Sequence, residues 1–368
     1  MPGRGHRGKR LRIAIFTELY PPHIGGQEVR YAELGEALHA QGHEVDVYCI
    51  RHSADVPEQE NCGGIRIFRY PLSPNYKKPL IKFFRRQIGT VFRYAHWCRR
   101  VLRSSSYDLH IFNQWPLTHV MLAPQRARDR GVLDWCEIRR RFPFGLLQRW
   151  MPKLVRHNMA VSVAVAEHIA HVSLRETDFV PSGIVLSRYR NQPLPLRSNL
   201  LYFGRVTEHK NVELLISAFE RLAPRGFGGR LVIAGAGPWL DRVQLRAGSS
   251  PLCERIDVIG FISDERKVEL LASSLLLVVP SRREGFPRVV AEAMASGLPV
   301  VTVDYPENGT TAVVNRYVIG TVTAPDELAS GCLSTIRRWN EFSANGLSAS
   351  QELDWSRLLG RVLKHGVN

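Results

Sequence analysis

The hydrophobic pattern at the start of the chain predicts a strand, a glycine-containing turn, a helix and a second strand. The run LRIAIF, which begins at Leu11, is apolar except for one arginine, as expected for a buried strand. The turn PPHIGGQEV follows, and apolar residues then recur at helical spacing as far as Gly42, where the helix is expected to end. HEVDVYCI is the second strand. This order predicts a parallel sheet with crossover helices.

The same alternation restarts at Asn199. Strands are predicted at LLYFGR, RLVIAGAG, IDVIGFI, LLLVVPS and PVVTVDY, and helices at VELLISAFERL, at KVELLASS and from about residue 287 to 296. Two doubly wound α/β units are therefore predicted, with the polar, proline-containing segment 188–199 as their linker. We expect an N-terminal domain over 1–190 and a C-terminal domain over 198–350. A terminal helix is expected within 351–368, and packing back on the N-terminal domain is one option for it.

Composition narrows the class of protein. Of the 368 residues, 44% are hydrophobic and 23% are charged, which is ordinary for a globular protein and excludes a disordered or fibrous chain. The longest apolar runs have the length of a strand, so no membrane span is predicted and a cytoplasmic location is expected. No two of the six cysteines are spaced as a CxxC pair, so no zinc cluster is expected.

The charge is unevenly distributed along the chain. Residues 1–190 contain 30 basic and 16 acidic side chains, a net charge of +14, whereas residues 191–368 have a net charge of +2. Within the first half, residues 61–107 contain eleven lysines and arginines and no acidic residue. Such a surface attracts phosphate-rich partners, namely anionic lipid, nucleic acid or an acidic substrate.

The most specific motif is SRREGFPRVVAEAMASGLPVV, which places polar residues where a strand ends and a helix begins. Glu284 follows the predicted strand, Pro287 occupies a first helical position and Gly297 ends the helix. Backbone N–H groups at such a helix start point toward a bound anion. Glu292 lies about two turns farther along, where its carboxylate is placed to accept both hydroxyls of a cis-diol such as a ribose. Glu284, ahead of the helix, is placed to reach a sugar.

Two other kinds of loop are suited to binding phosphate. FGRVTEHKN places Arg205 and Lys210 between the first strand and the first helix of the second unit, where two cations are able to clamp a diphosphate. In Gly25–Gly26, and in AGAGP with Gly235 and Gly237, the missing side chains allow the backbone to approach a ligand closely. The AGAGP segment does not match the GxGxxG motif of dinucleotide-binding proteins.

Together these segments resemble a known family. The chain is similar to the family 4 retaining glycosyltransferases of the GT-B fold, through GGQEVRYAELGEALHAQGHEV, FGRVTEHKNVELLISAF, LVIAGAGP and EGFPRVVAEAMASGLPVV. The resemblance covers most of the chain and is most specific over 200–302. It implies an α/β fold of two doubly wound Rossmann-like domains that face a central cleft, the first for the acceptor and the second for the nucleotide sugar. It also implies sugar transfer from a UDP- or GDP-type donor to a hydroxyl acceptor, with no metal and no separate cofactor.

The resemblance implies roles for individual residues. Arg205 and Lys210 match the basic pair that holds the donor diphosphate and neutralises the leaving group. Glu284 matches the carboxylate that contacts the transferred sugar, Glu292 matches the ribose carboxylate, and Gly26 matches a backbone contact to the phosphate from the first domain. The other implied donor-binding positions are Gly25, Gly235, Gly237, Gly260, Phe261, Gly285, Phe286 and Pro287. No covalent protein nucleophile is expected.

The chain departs from the family pattern on the acceptor side. Many relatives have an H-x-H pattern after a first-domain strand, but DLHIFNQ has Asn113 at the second position, and His110 is interpreted as a structural residue within the strand. A later histidine is replaced by DWCEIRR, where Asp134 or Glu137 is expected to face the acceptor. The acceptor-side candidates are therefore Asn113, Asp134 and Glu137.

The basic segment LIKFFRRQIGTVFRYAHWCRRVLR predicts an amphipathic helix. Apolar residues recur at positions 81, 84, 88, 91, 95, 98 and 102, and the arginines and lysines occupy other faces. One interpretation is a peripheral contact through residues 77–103 with the inner face of an anionic membrane, where lipid-linked acceptors lie. The other interpretation is a helix packed on the first domain with a solvated basic face.

Three functions are compatible with these residues. A retaining glycosyltransferase of cell-envelope glycan, glycolipid or antibiotic biosynthesis accounts for the E-x7-E motif and for the basic loop. A sugar-nucleotide 2-epimerase shares the architecture, and a non-enzymatic basic binding module would account for the charge alone. No RNP, zinc-finger or helix-turn-helix motif indicates specific nucleic-acid binding. The base, the sugar and the acceptor remain open, the acceptor being a glycan, a lipid-linked compound or a small metabolite.

Overall fold

The computed structural model describes residues 9–23, 25–76, 86–139 and 142–366. The chain divides into two compact units: the first contains the residues up to Gly183 and those from Trp355 onward, and the second contains Ile184–Asp354. Segment 188–199, the expected linker, therefore lies within the second unit.

Arg197 explains why the expected linker belongs to the second unit. Its buried guanidinium donates to the carbonyl oxygens of Leu271 and Ser274 at 3.0 and 2.9 Å. The same group lies 5.3 Å from the ring centroid of Trp339. Burial lowers the pKa of Arg197 to about 10. A segment anchored by a buried arginine is part of a core and not a free connection, although its composition is that of a linker.

The first unit is a mostly parallel sheet flanked by helices. Its strands are β1 (Arg12–Phe16), β2 (Glu44–Cys49), β3 (Gln59–Cys62), β4 (Ile65–Arg69), β5 (Leu109–Asn113), β6 (Gly131–Trp135), β7 (His157–Ala160) and β8 (Asp178–Phe179). Its helices before the second unit are α1 (Gly26–Ala40), α2 (Ile88–Ser104), α3 (Thr118–Leu122), α4 (Gln125–Arg128), α5 (Phe144–Trp150) and α6 (Val163–Ser173), with a 3₁₀ turn at Met151–Leu154. The strand order is β3–β4–β2–β1–β5–β6–β7–β8, and β3 runs antiparallel to β4 while the other pairs are parallel.

Helix α2 lies within the predicted basic helix, whose residues 80–85, like residues 77–79 before it, lie outside the described residues. Ala95, Cys98 and Leu102 face the core, as their spacing predicts. Ile88, which the same spacing would also bury, is exposed. The helix is therefore packed along most of its length and presents apolar surface at its first turn.

The second unit is a parallel sheet of the order β11–β10–β9–β12–β14–β16. Its strands are β9 (Asn199–Phe203), β10 (Leu231–Ala234), β11 (Ile256–Gly260), β12 (Ser274–Val279), β13 (Arg283–Glu284), β14 (Val300–Val303), β15 (Glu307–Asn308) and β16 (Gly320–Thr323). Its helices are α7 (Val212–Leu222), α8 (Leu240–Gly248), α9 (Asp264–Ser273), α10 (Arg288–Ala295), α11 (Thr310–Tyr317), α12 (Leu328–Arg337) and α13 (Trp339–Ser350). The short strands β13 and β15 pair with each other outside the main sheet. Buried apolar clusters cover both faces of the main sheet.

A last helix, α14 (Trp355–Leu363), belongs to the first unit. The indole Nε1 of Trp355 donates to Glu33 of α1 at 3.3 Å, and its ring lies 5.5 Å from the guanidinium carbon of Arg30. A Cβ on Gly183 would stand 2.5 Å from the Trp355 ring, so glycine is required where the chain leaves this unit. The end of the chain is therefore locked onto α1 by one large buried side chain.

Candidate functional site

The loops that follow β9, β10, β12 and β14 meet at the carboxyl edge of the second unit's sheet, because parallel strands end on the same side. Backbone hydrogen bonds tie these loops together. Val206 N–H donates to the carbonyl of Ala236 at 3.0 Å, and Arg282 N–H donates to the carbonyl of His209 at 2.8 Å. The basic loop 204–211 is therefore held against both the glycine loop and the segment that leads into α10.

Lys210 and Glu284 form an ion pair at this edge. The ammonium of Lys210, in the loop after β9, contacts the Glu284 carboxylate, in the segment between β12 and α10. Their side chains are 20% and 11% exposed, so the pair is partly accessible to solvent. Arg205 is exposed, and its carbonyl accepts the hydroxyl of Tyr202 at 3.0 Å. The structure thus brings together the cation and the carboxylate that the resemblance assigns to the diphosphate and the sugar.

The histidine between these residues was not singled out from the sequence. His209 Nδ1 lies 3.2 Å from the hydroxyl of Thr207, and its carbonyl joins the basic loop to Arg282. Burial, together with the neighbouring charges of Lys210 and Arg283, lowers the pKa of His209. The imidazole is therefore neutral at pH 7, and the cations of the loop are Arg205 and Lys210.

Glu292 is buried on the second turn of α10 and carries two cationic partners. Its Oε1 lies 3.3 Å from Nζ of Lys267 and 3.2 Å from Nε of Arg288. Lys267 also contacts Asp264 at 2.9 Å. Burial disfavours the charge of Lys267, but the carboxylates of Glu292 and Asp264 outweigh this effect and raise its pKa. Glu292 is therefore held as a compensated carboxylate with a fixed orientation.

Lys267 and Arg288 were missed from the sequence for different reasons. Arg288 stands four residues before Glu292, and this spacing places both side chains on one face of a helix. The contact between them could therefore have been predicted from the sequence. Lys267 comes from α9, a helix that begins at the cap formed by Ser263, whose hydroxyl accepts the N–H of Arg266 at 3.3 Å. Only the packing of α9 beside α10 brings Lys267 to Glu292, and no local pattern reports that contact.

The glycines of the AGAGP loop have a structural requirement. A Cβ on Gly235, which has φ of 138°, would stand 1.8 Å from the carbonyl oxygen of Gly204. A Cβ on Gly237 would stand 2.1 Å from the carbonyl oxygen of Val206. These residues let two strand-end loops pack backbone to backbone. That Gly235 and Gly237 also leave room for the donor remains a prediction.

The other predicted donor positions surround this loop cluster. The carbonyl of Gly260 accepts the N–H of Gly235 at 2.7 Å, and Phe261 after it is exposed. Gly285 is exposed and Phe286 is half-buried. Pro287 caps α10, which begins at Arg288, so the helix starts one residue later than the sequence predicts.

In the first unit, Gly25 and Gly26 open helix α1. Gly25 is the N-cap, and a Cβ on Gly26 would meet no atom of the described residues within 4 Å, so the start of the helix is open there. Asn113, at the end of β5, is completely buried beside this turn and donates to Thr17 Oγ1 and Gln27 Oε1, both at 3.0 Å. The structure places Asn113 inside the unit, where it holds the glycine turn; a contact between Asn113 and an acceptor stays a prediction.

Asp134 is also an interior residue. It is 0% exposed, and its Oδ2 accepts hydrogen bonds from Nε of Arg30 and the hydroxyl of Tyr31, both at 2.9 Å. Burial and the adjacent carboxylate raise the pKa of Tyr31 well above its usual range, so the phenol stays a donor. Asp134 therefore holds α1 against the sheet, and a contact between Asp134 and an acceptor stays a prediction.

Glu137 remains the accessible acceptor-side candidate. Its side chain is about one-third exposed, and its Oε1 accepts Nε1 of Trp115 at 3.0 Å and Nη2 of Arg139 at 2.7 Å. His110, by contrast, is buried in β5, and burial lowers its pKa to about 4. It is a neutral residue inside the sheet, in agreement with its interpretation as structural.

Comparisons with known proteins identify the family to which the chain belongs. Residues 25–182 match the Glycosyl transferase 4-like domain, and residues 194–339 match Glycosyl transferases group 1. An uncharacterized glycosyltransferase of Methanocaldococcus jannaschii is 26% identical over 367 residues, covering 89% of this chain and 90% of the relative. The GDP-mannose-dependent alpha-(1-6)-phosphatidylinositol dimannoside mannosyltransferase of Mycobacterium tuberculosis is 32% identical over 312 residues, 79% of each chain. The solved structure of sucrose-phosphate synthase from Thermosynechococcus elongatus superposes with a TM-score of 0.79 at 20% identity, over 96% of this chain and 98% of that one.

The fold and the matched domains define a glycosyltransferase of the GT-B class, the class that transfers a sugar from a nucleotide-sugar donor. The chain belongs to the family 4, group 1 glycosyltransferases. The family resemblance and the predicted fold class of two Rossmann-like domains are confirmed.

Proposed function

We propose that this glycosyltransferase moves a sugar from a UDP- or GDP-type donor to a hydroxyl acceptor, with retention of anomeric configuration and without a metal. The observation that carries the proposal is the pairing of Lys210 with Glu284 at the carboxyl edge of the second unit's sheet, beside the exposed Arg205. At this edge, a cation that is able to bind the diphosphate is in direct contact with a carboxylate that is able to accept hydrogen bonds from sugar hydroxyls. Buried Glu292, on the same motif, supplies the acceptor of ribose hydroxyls.

The reaction needs charge stabilisation more than it needs a nucleophile. When the bond between the anomeric carbon and the diphosphate oxygen breaks, negative charge develops on that oxygen, and Arg205 and Lys210 stabilise it. The sugar becomes cation-like, and the acceptor oxygen forms the new bond on the face that the diphosphate leaves. The acceptor proton passes to the departing phosphate oxygen. Binding of the donor replaces the Lys210–Glu284 contact, so that Lys210 turns to phosphate and Glu284 to sugar hydroxyls.

The relative from Mycobacterium tuberculosis supports both parts of the substrate assignment. It is named as a GDP-mannose-dependent mannosyltransferase, and its name includes a phosphatidylinositol dimannoside, a lipid-linked sugar. We therefore favour a nucleoside diphosphate hexose as donor and a lipid-linked acceptor over a free glycan or a small metabolite. A peripheral position at the inner face of a membrane follows from such an acceptor. Across the described residues, no helix has the length and apolarity to span a bilayer.

A thermal-shift panel tests the donor assignment. The ligands are UDP, GDP, ADP and TDP with their common sugars, all in the presence of EDTA. A ligand at about 100 times its Kd adds about 2.7 kcal/mol to the free energy of unfolding, which is a shift of a few degrees. We expect one nucleotide to raise the Tm clearly without a metal. If none of them does, with or without Mg²⁺, the donor site is degenerate and the proposal fails; a shift that appears only with Mg²⁺ contradicts the metal-independent part.

A second prediction concerns the carboxylate assigned to the ribose. Glu292→Ala is expected to weaken binding of the preferred nucleoside diphosphate about tenfold, because two ribose hydroxyls lose a charged acceptor. Lys267→Met is expected to weaken it about fivefold, since the carboxylate loses one partner that fixes its position. Isothermal titration with the nucleotide and its 2′-deoxy analogue measures both.

The comparison of the two nucleotides separates a ribose contact from a general loss of structure. Wild-type protein should prefer the ribonucleotide, and both variants should lose that preference. Lys267→Met combined with Glu292→Ala should bind no more weakly than Glu292→Ala alone. Equal losses for the ribonucleotide and its deoxy analogue would mean that Glu292 does not contact the ribose.

A further inference from the structure

His209 is an ionisable side chain of the basic loop that the proposed reaction does not use. It is the only histidine in residues 184–354, and it stands between Arg205 and Lys210, directly before the lysine. Its backbone is fixed, because its carbonyl accepts the N–H of Arg282 at 2.8 Å from the segment that leads into α10. The loop therefore carries a titratable group in a set position beside the two cations assigned to the diphosphate.

The imidazole ring of His209 is held at one nitrogen and open at the other. Nδ1 lies 3.2 Å from the hydroxyl of Thr207, two residues earlier in the loop. Nε2 has no hydrogen-bond partner in the part of the chain that the structure describes, and it is not sealed from solvent. Glu208, the acidic residue between the two, is exposed. A ligand is therefore able to reach Nε2 without displacing the contact with Thr207.

Cations predominate among the charged groups near His209. Arg205 and Lys210 lie in the same loop, and Arg283 comes from β13 together with the carboxylate of Glu284. That carboxylate already contacts Lys210. Burial, together with the repulsion from these cations, lowers the pKa of His209 below its ordinary value. Without a ligand, the ring is therefore a neutral group in a site whose charges suit an anion.

A bound diphosphate would reverse this balance of charge. Its negative oxygens compensate Arg205 and Lys210, which otherwise repel a proton on His209, and they attract the imidazolium form directly. The pKa of His209 is therefore expected to rise on binding. Because the coupling between two bound ligands is reciprocal, a diphosphate that favours the proton must itself bind more tightly when the proton is present. Proton affinity and donor affinity are thus linked through one side chain.

We propose that His209 is a third diphosphate-binding residue, which takes up a proton from solvent as the nucleotide sugar binds and then donates a hydrogen bond from Nε2 to a phosphate oxygen. This role rests on the proposed function, since it adds a pH-dependent regulation to the donor site of that reaction. The proton returns to solvent when the nucleoside diphosphate leaves. Such a residue supplies positive charge only while an anion is bound, so the ligand-free site avoids the repulsion of three adjacent cations.

Donor affinity is expected to fall as pH rises. Between the pKa of His209 in the ligand-free protein and its higher pKa in the complex, binding requires proton uptake, so affinity falls by up to about tenfold per pH unit. Above the pKa of the complex, the ring is neutral in both states and affinity reaches its lower limit. His209→Gln offers an N–H donor near the place of Nε2 but is unable to ionise. It should therefore keep the affinity of the wild type at high pH and lack the increase at low pH.

Isothermal titration with a nucleotide sugar tests this coupling. UDP-glucose and GDP-mannose are the probes, because a diphosphate esterified at both ends keeps its charge between about pH 5.5 and about pH 8, unlike a terminal phosphate, whose second pKa is about 6. For the probe that binds, we expect the wild-type affinity to be about five- to tenfold higher at the low end of this range than at the high end. Titrations in two buffers that differ in ionisation enthalpy give the number of protons taken up. This number should be positive at about pH 6.5 and close to zero in His209→Gln.

Two further variants control for local structure and for other histidines. His209→Asn keeps an amide near the place of Nδ1, and with it a contact with Thr207, but it is unable to ionise. It should lose the pH dependence as His209→Gln does. His96 of α2 is exposed and belongs to the first unit, so His96→Gln should keep the pH dependence and the proton uptake of the wild type. Melting curves of all three variants without a ligand should match that of the wild type.

Three results would overturn this role of His209. In the first, the wild-type affinity for the nucleotide sugar is independent of pH or rises with it. In the second, His209→Gln and His209→Asn retain the pH dependence and the proton uptake of the wild type. In the third, both variants bind weakly even at the highest pH, which would identify a structural residue. Failure of the proposed function is distinguishable from these results, because the wild-type protein would then bind no nucleotide sugar at any pH.

Discussion

Replacement of Lys210 by alanine is expected to lower kcat of sugar transfer about 100- to 1,000-fold while changing the KM for the donor much less. The physical reason is that the charge on the leaving diphosphate is largest in the transition state, so a cation aimed at it stabilises that state more than the bound donor. Lys210 is only 20% exposed, which strengthens its interaction with a phosphate relative to the same contact in water. Initial rates of donor hydrolysis and of transfer, measured at saturating and limiting donor, give both constants.

The ion pair with Glu284 requires a second variant for a clear interpretation. Lys210→Ala leaves the Glu284 carboxylate without its partner, and that charge would itself repel the diphosphate. The double variant Lys210→Ala/Glu284→Gln removes the repulsion. If Lys210 stabilises the leaving group, the double variant stays as slow as Lys210→Ala or becomes slower. Recovery of most of the rate in the double variant would show that Lys210 only neutralises Glu284.

Arg225 provides a matched control for loss of positive charge. It follows α7 and precedes β10, so it lies at the amino edge of the same sheet, opposite to the site. Arg225→Ala should change kcat less than about twofold, since a solvent-exposed charge at that distance is screened. A comparable rate loss in Arg225→Ala would point to a general effect of net charge and would remove the specific role of Lys210.

The clustering of the residues assigned to the donor was predictable because most of them are local in sequence. Glu284, Pro287 and Glu292 lie in one strand-to-helix segment, and the period of its apolar residues defines the helix between them. Helix α7 has the bounds of the predicted VELLISAFERL. Parallel strands then bring the loop of Lys210 to the same edge, so topology alone implies that it lies near Glu284.

The parts that the sequence did not reveal depend on contacts between distant segments. Lys267 reaches Glu292 across two packed helices. The two-residue strands β13 and β15 are too short to give a period. The segment 188–199 has the composition of a linker, but buried Arg197 anchors it in the second unit. In each case, tertiary packing determines the structure, and the local sequence alone does not predict it.

Asp134 shows the same limit on the acceptor side. An aspartate near the carboxyl end of a parallel strand, as Asp134 is in β6, suggests a ligand contact, because that edge of the sheet carries the sites of such folds. Its actual partner, Arg30, comes from α1, a segment 104 residues away. Nothing in the sequence distinguishes an arginine on α1 that faces solvent from one that enters the core, and only the partner decides the role of Asp134.

Asp134→Ala is therefore expected to lower the free energy of unfolding of the first unit by about 3–5 kcal/mol, since it leaves a buried guanidinium without its counter-charge. Arg30 is 1% exposed, and its other contacts include the carbonyls of Pro181 at 2.7 Å and Val180 at 3.0 Å, so the guanidinium would stay buried in the variant. Its ring contact with Trp355 means that the loss extends to the docking of α14. Urea-induced unfolding monitored by circular dichroism, fitted with separate transitions for the two units, measures the change.

Two variants complete this test. Arg30→Met/Asp134→Leu removes both charges and should be several-fold less destabilising than Asp134→Ala, because no unpaired charge remains buried. Glu137→Ala, close in sequence but one-third exposed, should cost less than about 1 kcal/mol. Suppose instead that Asp134→Ala unfolds at the same urea concentration as the wild type, and that sugar transfer to the acceptor falls while donor hydrolysis does not. Asp134 would then contact the acceptor. The expected pattern is the reverse: Asp134→Ala lowers the stability of the first unit, whereas Glu137→Ala raises the KM for the acceptor and lowers stability by less than about 1 kcal/mol.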